Sequence, residues 1–291
     1  MTFGTVAILG PGLIGGSLAL ALADRGLTKR LSIYARSSRA LDEIRLASVS
    51  AELTGNPSEA VREADVVVLC VPIEAMAALV HEFRDALKPT ALVTDVGSVK
   101  GNVVRDIEPL LEGRALWIGS HPMAGSEQGG FAAARADLFD GAAVILTPTK
   151  HTPREAQRRA EQFWTALGAN LNILSPEKHD QMVAAISHIP HLLAAALVNH
   201  AVTFGNLDLA GGGFRDTTRV ASGSPELWVE ILMANAKAVG IQVEHLTAQL
   251  KSLEVALQNP DKSAAKKSLF EMLKSAQDSR SHLPTRRPKR P

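Results

Sequence analysis

Cysteine is nearly missing from this chain. One thiol, Cys70, in 291 residues has no intrachain partner, so the fold is no disulfide framework and a reducing, cytoplasmic setting is expected. Cys70 lies in the apolar run Val66-Val67-Val68-Leu69-Cys70-Val71 and reads as a small buried hydrophobe. Aromatic residues are scarce at 4%, too few for a series of stacking platforms for bases. Charge of one sign is also lacking. A formal net charge of +1 creates no field that would gather nucleic acid or an anionic membrane, and neither is expected as a partner. No uninterrupted apolar segment of spanning length stands out either. The nearest, residues 182–202, is broken by His188, Pro190, His191, Asn199 and His200, whereas a spanning helix wants about 20 mainly apolar residues. It is expected to be a helix buried in protein. No basic segment precedes an apolar one at the start, so no secretory signal is expected.

What is present is alternation. Short β-branched runs at residues 6–9, 31–35, 66–71, 91–95, 115–118, 142–147 and 170–174 are separated by helical stretches. Continuous apolar runs suit strands covered on both faces, and helices between them imply βαβ crossovers. An α/β doubly wound sheet over residues 1–174 follows. Thr152-Pro153-Arg154-Glu155 offers a helix an N-cap, a first-turn proline and a capping-box glutamate.

Beyond Ser175 the strands stop, and residues 175–279 read as an all-helical second domain. Ser175-Pro176-Glu177 and Ser224-Pro225-Glu226 each announce a helix. Val239, Val243, Leu246, Leu250, Leu253 and Leu257 alternate spacings of four and three, a stripe able to pair with another helix of this chain or of a second copy. Gly211-Gly212-Gly213-Phe214-Arg215-Asp216 is expected to be loop. Residues 280–291 end in Arg286-Arg287-Pro288-Lys289-Arg290-Pro291, a basic tail expected to be disordered.

Gly10-Pro11-Gly12-Leu13-Ile14-Gly15 follows the first run directly and precedes a helix-forming stretch. In that position G-x-G-x-x-G is a dinucleotide-binding turn. The first glycine permits the tight turn, the second lets a diphosphate approach the backbone, and the third lets helix and strand pack closely. At the end of the second run stands Tyr34-Ala35-Arg36-Ser37, without the carboxylate that usually takes the ribose 2′-hydroxyl. Arg36 and Ser37 suit a 2′-phosphate, so NADP is expected ahead of NAD; the alternative is that Arg36 stacks on adenine.

Two further strand ends carry polar residues where ligands bind in such sheets: Thr94-Asp95-Val96-Gly97-Ser98-Val99-Lys100 and Gly119-Ser120-His121-Pro122-Met123-Ala124-Gly125-Ser126-Glu127. Oxidising an alcohol needs a base on the hydroxyl, and His121, in a loop just past a strand, suits that task. Ser98 either shares a hydrogen bond with His121 or the substrate, or caps the next helix. Lys100 reads as a solvated surface charge. Ser187-His188-Ile189-Pro190-His191 places polar groups inside an apolar helix, to be met by substrate or by neighbouring backbone. His179, Asp180, His188, His191 and His200 match no zinc spacing, and no metal is expected. Arg215 and Arg219 follow the glycine triplet and suit a carboxylate or a surface ion pair.

Together these segments resemble the prephenate/arogenate dehydrogenase family of tyrosine biosynthesis. The resemblance rests on Gly10 to Ser17, Asp95 to Lys100, His121 to Glu127, Ser187 to His191 and Gly213 to Ala221, in order. It implies a Rossmann-type doubly wound sheet followed by an all-α helical dimerisation domain, and a homodimer acting on a small molecule. It further implies His121 as the catalytic histidine with Ser98 as its hydrogen-bonding partner. Arg219 is implied as the carboxylate anchor, with Ser187, His191, Glu127, Asp180, Trp228 and nearby Arg215 at the substrate. Cofactor contacts fall to Gly10, Gly12, Leu13, Ile14, Gly15, Arg36, Ser37, Val71 and Pro72. The implied reaction is oxidative decarboxylation of prephenate with hydride transfer to NADP or NAD. Arogenate as substrate, another β-hydroxyacid-type dehydrogenase, and a non-catalytic dinucleotide-binding regulator are the rival readings. No added regulatory or mutase domain is expected after the helices.

Overall fold

The computed structural model describes residues 2–47, 49–126 and 128–283. Its strands are β1 (Thr5–Leu9), β2 (Arg30–Tyr34), β3 (Glu52–Thr54), β4 (Val66–Leu69), β5 (Leu92–Asp95), β6 (Leu116–Pro122), β7 (Ala143–Thr147) and β8 (Asn170–Ile173). They form one 8-stranded sheet in the order β3-β2-β1-β4-β5-β6-β7-β8. Strands β1 to β6 pair in parallel. Between them run α1 (Leu13–Asp24), α2 (Ser38–Leu46), α3 (Pro57–Val61), α4 (Ile73–Phe83) and α5 (Gly101–Leu111), with α6 (Arg154–Ala166) joining β7 to β8.

The all-apolar strands are explained by burial on both faces. Val6 and Ile8 enter one core with Leu18, Leu22 and Trp164. Ala7 and Leu9, on the opposite face, enter another with Met76, Val80, Phe83 and Trp117. Cys70 is half-buried and packs against the first core.

Four local expectations are corrected. Strand β3 is absent from the sequence reading because Glu52-Leu53-Thr54 offers one apolar residue and sits at the sheet edge. Strand β7 runs antiparallel to β6. Residues 123–142 hold only the short 3-10 turn Phe131–Ala133 among the described residues, so no crossover helix returns the chain in parallel. His121 therefore lies on β6, opposite Ile145, and not in a loop beyond it. Helix α6 takes Pro153 as its N-cap, while Thr152 Oγ1 accepts from Thr149 N at 2.9 Å instead.

Beyond Ser175 come α7 (Pro176–Val183), a π-helical turn (Ala184–His188), α8 (Ile189–Val202), α9 (Gly212–Thr218), a 3-10 turn (Arg219–Ser222), α10 (Pro225–Ala234), α11 (Ala236–Gln258) and α12 (Lys262–Ser281). Ser175 and Ser224 cap α7 and α10 through Lys178 N and Leu227 N, each with proline in the first turn. The glycine triplet is not loop throughout. Gly211 is an extended N-cap and Gly212 opens α9, because glycine is tolerated in a first turn whose later residues form the helix. The basic end, from 284 on, lies outside the described residues.

By contact the chain divides into two compact units, Met1–Val239 and Gly240–Pro291. The first joins the sheet to the helices through α10. Within it, the apolar helical stretch Pro176–Val202 is not enclosed as expected; only 28% of its most apolar window is buried. The second unit leaves Val243, Leu250 and Leu257 of the heptad stripe exposed.

Candidate active site

The turn after β1 shows why its residues are glycines. Gly10 has φ of 106° and a Cβ there would stand 2.6 Å from the Cys70 carbonyl oxygen. A Cβ on Gly15 would stand 2.1 Å from Gly10 O, whereas one on Gly12 would meet open space. Gly12 is the N-cap of α1, with no side chain capping the helix and no acidic residue in its first turn. That is an open, partly positive helix end, and it fits a diphosphate. Leu13 and Ile14 pack toward the core, and Val71 borders Gly10. Pro72 caps α4 on the neighbouring strand end. Past β2, Arg36 and Ser37 are exposed. Ser37 is the N-cap of α2 but its hydroxyl makes no capping bond.

Lys100 is not a surface charge. Its ammonium is paired with Asp95, neither side chain exposed at all, and donates to Ser120 O at 2.9 Å. Burial pulls its pKa down, and Asp95 opposes that fall. Asp95 also accepts from Gly97 N at 2.8 Å and Ser120 N at 3.0 Å. The pair thus ties the end of β5 to β6 one residue before His121.

His121 is buried, and its Nδ1 lies 2.8 Å from His179 Nε2. His179, fully buried on α7, places Nδ1 2.8 Å from Asp180 Oδ1. Asp180 accepts from Lys100 N and Gly101 N, each at 2.8 Å. Burial works against the Asp180 charge, but the hydrogen bonds from His179, Lys100 and Gly101 hold its carboxyl below the ordinary value. Burial, reinforced by His179, Lys100 and His188, holds His121 well below 6.5. His179 is lowered too, chiefly by burial.

A second polar cluster continues from this one. Asn235 Nδ2 donates to Asp180 O at 2.9 Å and lies 3.3 Å from His188 Nδ1. His188, lowered to about 4 chiefly by burial, packs edge-on against Trp228. His191 stacks on Trp228 with ring centres 3.6 Å apart, and its buried Nδ1 has no hydrogen-bond partner among the described residues. Ser187 is half-buried in the π-helical turn.

The structure therefore brings together His121, Asp180, His191 and Trp228. Among the described residues Ser98 makes no hydrogen bond to His121 and does not cap α5, whose N-cap is Lys100; His121 is paired with His179 instead. Asp180 is engaged by protein groups rather than left open for a ligand. Arg215 and Arg219 are exposed, Arg215 donating to Ala210 O at 3.2 Å. Glu127 lies outside the described residues. Sequence reasoning missed His179 as a partner of His121, and with it Lys100, Asp95 and Asn235. The available signal was the His179-Asp180 pair just after a capped helix start.

Comparison with known proteins agrees with this layout. The family model described as prephenate dehydrogenase, nucleotide-binding domain, matches residues 18–173, and the one described as prephenate dehydrogenase, dimerization domain, matches residues 175–275. A cyclohexadienyl dehydrogenase from Zymomonas mobilis is 36% identical, over 97% of this chain and 97% of its own. A prephenate dehydrogenase from Bacillus subtilis is 34% identical, over 97% of this chain and 76% of its own. The crystal structure of prephenate dehydrogenase from A. aeolicus, in complex with hydroxyphenyl propionate and NAD+, is similar with a TM-score of 0.89 and 30% identity, covering 98% of this chain and 99% of that one.

Proposed function

We propose that this chain, which belongs to the prephenate dehydrogenase family, oxidatively decarboxylates prephenate to 4-hydroxyphenylpyruvate on the route to tyrosine. The observation that carries the reading is His121, a neutral buried histidine near the carboxyl end of β6, in the sheet that bears the glycine turn. When bound, a nicotinamide dinucleotide supplies the hydride acceptor. His121 takes the proton of the ring hydroxyl as the carbon beneath it gives up hydride. Loss of the ring carboxylate as CO2 makes the ring aromatic, and the oxygen takes the proton back from His121.

Arg219 is assigned to the side-chain carboxylate, which survives in the product. An arginine clamped on the ring carboxylate would oppose its departure as neutral CO2. Ser98 is assigned to the substrate hydroxyl, since its own hydroxyl has no hydrogen-bond partner among the described residues. His191, lowered by burial and so neutral, favours the keto side chain of prephenate over the ammonium of arogenate, with Trp228 stacked on it and Ser187 and Arg215 assigned to the same substrate. Glu127 is the residue that would favour arogenate.

Arg36 supports NADP over NAD: it is exposed, forms no ion pair among the described residues, and follows Ala35 where a carboxylate would repel a 2′-phosphate. The uncovered apolar helices support a homodimer. Steady-state assays of prephenate and arogenate with both dinucleotides test the whole reading. Prephenate with NADP is expected to give the highest kcat/KM, by at least about tenfold over arogenate, and Arg36→Ala to erode the NADP preference. Turnover of neither substrate would overturn the function; equal turnover of arogenate would overturn the substrate choice.

A further inference from the structure

The chain of contacts from His121 through His179 to Asp180 admits one placement of protons. An ionised carboxylate only accepts hydrogen bonds, and Asp180 is kept ionised by its bonds from Lys100 N, Gly101 N and His179. The proton between His179 Nδ1 and Asp180 Oδ1 therefore sits on His179. His179 is neutral, so its Nε2 carries a lone pair and must accept from His121 Nδ1. His121, neutral as well, then has no proton left for Nε2. That nitrogen has no hydrogen-bond partner among the described residues, and it is not among their sealed, unpaired polar atoms.

We propose that His179 and Asp180 are positioning residues that hold His121 as its Nδ1–H tautomer, leaving Nε2 as the nitrogen that receives the substrate proton. The inference rests on the proposed dehydrogenase reading. Two hydrogen bonds of 2.8 Å also aim the ring, and the rings meet edge to face with centres 5.0 Å apart. When Nε2 takes the hydroxyl proton, the new charge is shared through His179 with the Asp180 carboxylate. When the product phenol forms, the same proton returns to its oxygen, so none passes to solvent. Lys100 and His188 face the same pair and act in the opposite sense, since each of their charges would disfavour a protonated His121.

The test reads the tautomer first. Nitrogen-15 NMR of the imidazoles in the full chain, without substrate, is expected to show His121 protonated at Nδ1 and bare at Nε2 near neutral pH. Finding His121 as the Nε2–H tautomer would overturn the proposal whatever the enzyme does. In steady state, His179→Leu, which offers no acceptor, is expected to lower kcat roughly 10²–10⁴-fold. Its dinucleotide affinity should stay within about twofold, and its NMR spectrum should show mixed His121 tautomers. His179→Gln, whose side-chain oxygen can still accept, is expected to recover most of that loss. A kcat in His179→Leu within about twofold of wild type would equally overturn the proposal. If the wild type turned over neither prephenate nor arogenate, the functional reading would fall, and the nitrogen spectra would still decide the tautomer.

Discussion

Lys100 and Asp95 are paired with both side chains at 0% exposure, where β5 gives way to α5. Backbone groups complete the pair: Ser120 presents both its N–H and its carbonyl to it, and Gly97 N caps Asp95. Removing one member of a buried pair leaves the other charge without compensation. Lys100→Met is therefore expected to lower unfolding free energy by roughly 3–5 kcal/mol. Adding Asp95→Asn should return part of the loss. Urea denaturation of the single and double variants checks this, and a single variant within about 1 kcal/mol of wild type would sink it.

His121 acts only when unprotonated, and burial holds it well below 6.5. The acid limb of kcat/KM is expected below pH 6.5, with activity lost as pH falls through it and no loss from this group on the alkaline side. His121→Asn should lower kcat roughly 10²–10⁴-fold while dinucleotide binding is kept. Near wild-type turnover in that variant would remove His121 from the chemistry.

Four histidines are lowered together: His121, His179, His188 (to about 4) and His191, each chiefly by burial. In the unfolded chain they titrate near 6.5, so below that pH the unfolded state takes up protons the folded state refuses. Stability is expected to be full above pH 6.5 and to fall as pH drops from 6.5 toward 4. Thermal melts across that window measure it; a Tm constant from pH 7 to 4.5 would contradict the neutral burial of these rings.

The parts of this fold that can be read from the residues are those where one physical demand leaves one residue type. Gly10 and Gly15 are such positions, because a Cβ would strike backbone there. Val6 to Leu9 declare a strand buried on both faces, and Ser175 and Ser224 declare their helices. Lys100 gives no such sign, since a lone lysine looks the same on a surface as under a strand end. Its partner Asp95 becomes visible only when the chain turns between them. His179 has the same difficulty over a longer range: its contact with His121 is 58 residues away. The reversal of β7 depends on the connecting residues 123–142, whose Gly129-Gly130 and Asp140-Gly141 pairs mark turns without showing which way the next strand runs.

Arg219 sits at the head of a 3-10 turn on the helical side of the site. As anchor for the surviving carboxylate, it should contribute about 1.5–3 kcal/mol of charge-assisted hydrogen bonding. Arg219→Ala is expected to raise KM for prephenate roughly ten- to a hundredfold, with a smaller change in kcat. An unchanged KM together with a lowered Tm would assign the residue to folding alone.

The helices beyond Ser175 leave a series of apolar side chains uncovered. In the first unit, Ile186, Val202, Val229 and Met233 are exposed; in the second, Val243, Leu250 and Leu257 are. Patches of this kind mark interfaces. The same stretch that looks long and apolar enough for a bilayer also carries His179, Asp180, His188 and His191, all engaged in hydrogen bonds or ring contacts. The family model that matches residues 175–275 is described as a dimerization domain, which makes a second copy of this chain the occupant to test. The heptad spacing of the exposed leucines and valines suits a helix of its own kind. Light scattering at micromolar concentration is therefore expected to give twice the 30.9 kDa of one chain. Ile186→Asp, which puts a charge at an exposed apolar position, should shift the population toward monomer. A wild-type mass of a single chain under those conditions would reject the homodimer, and an Ile186→Asp variant that stays dimeric would move the interface off this face.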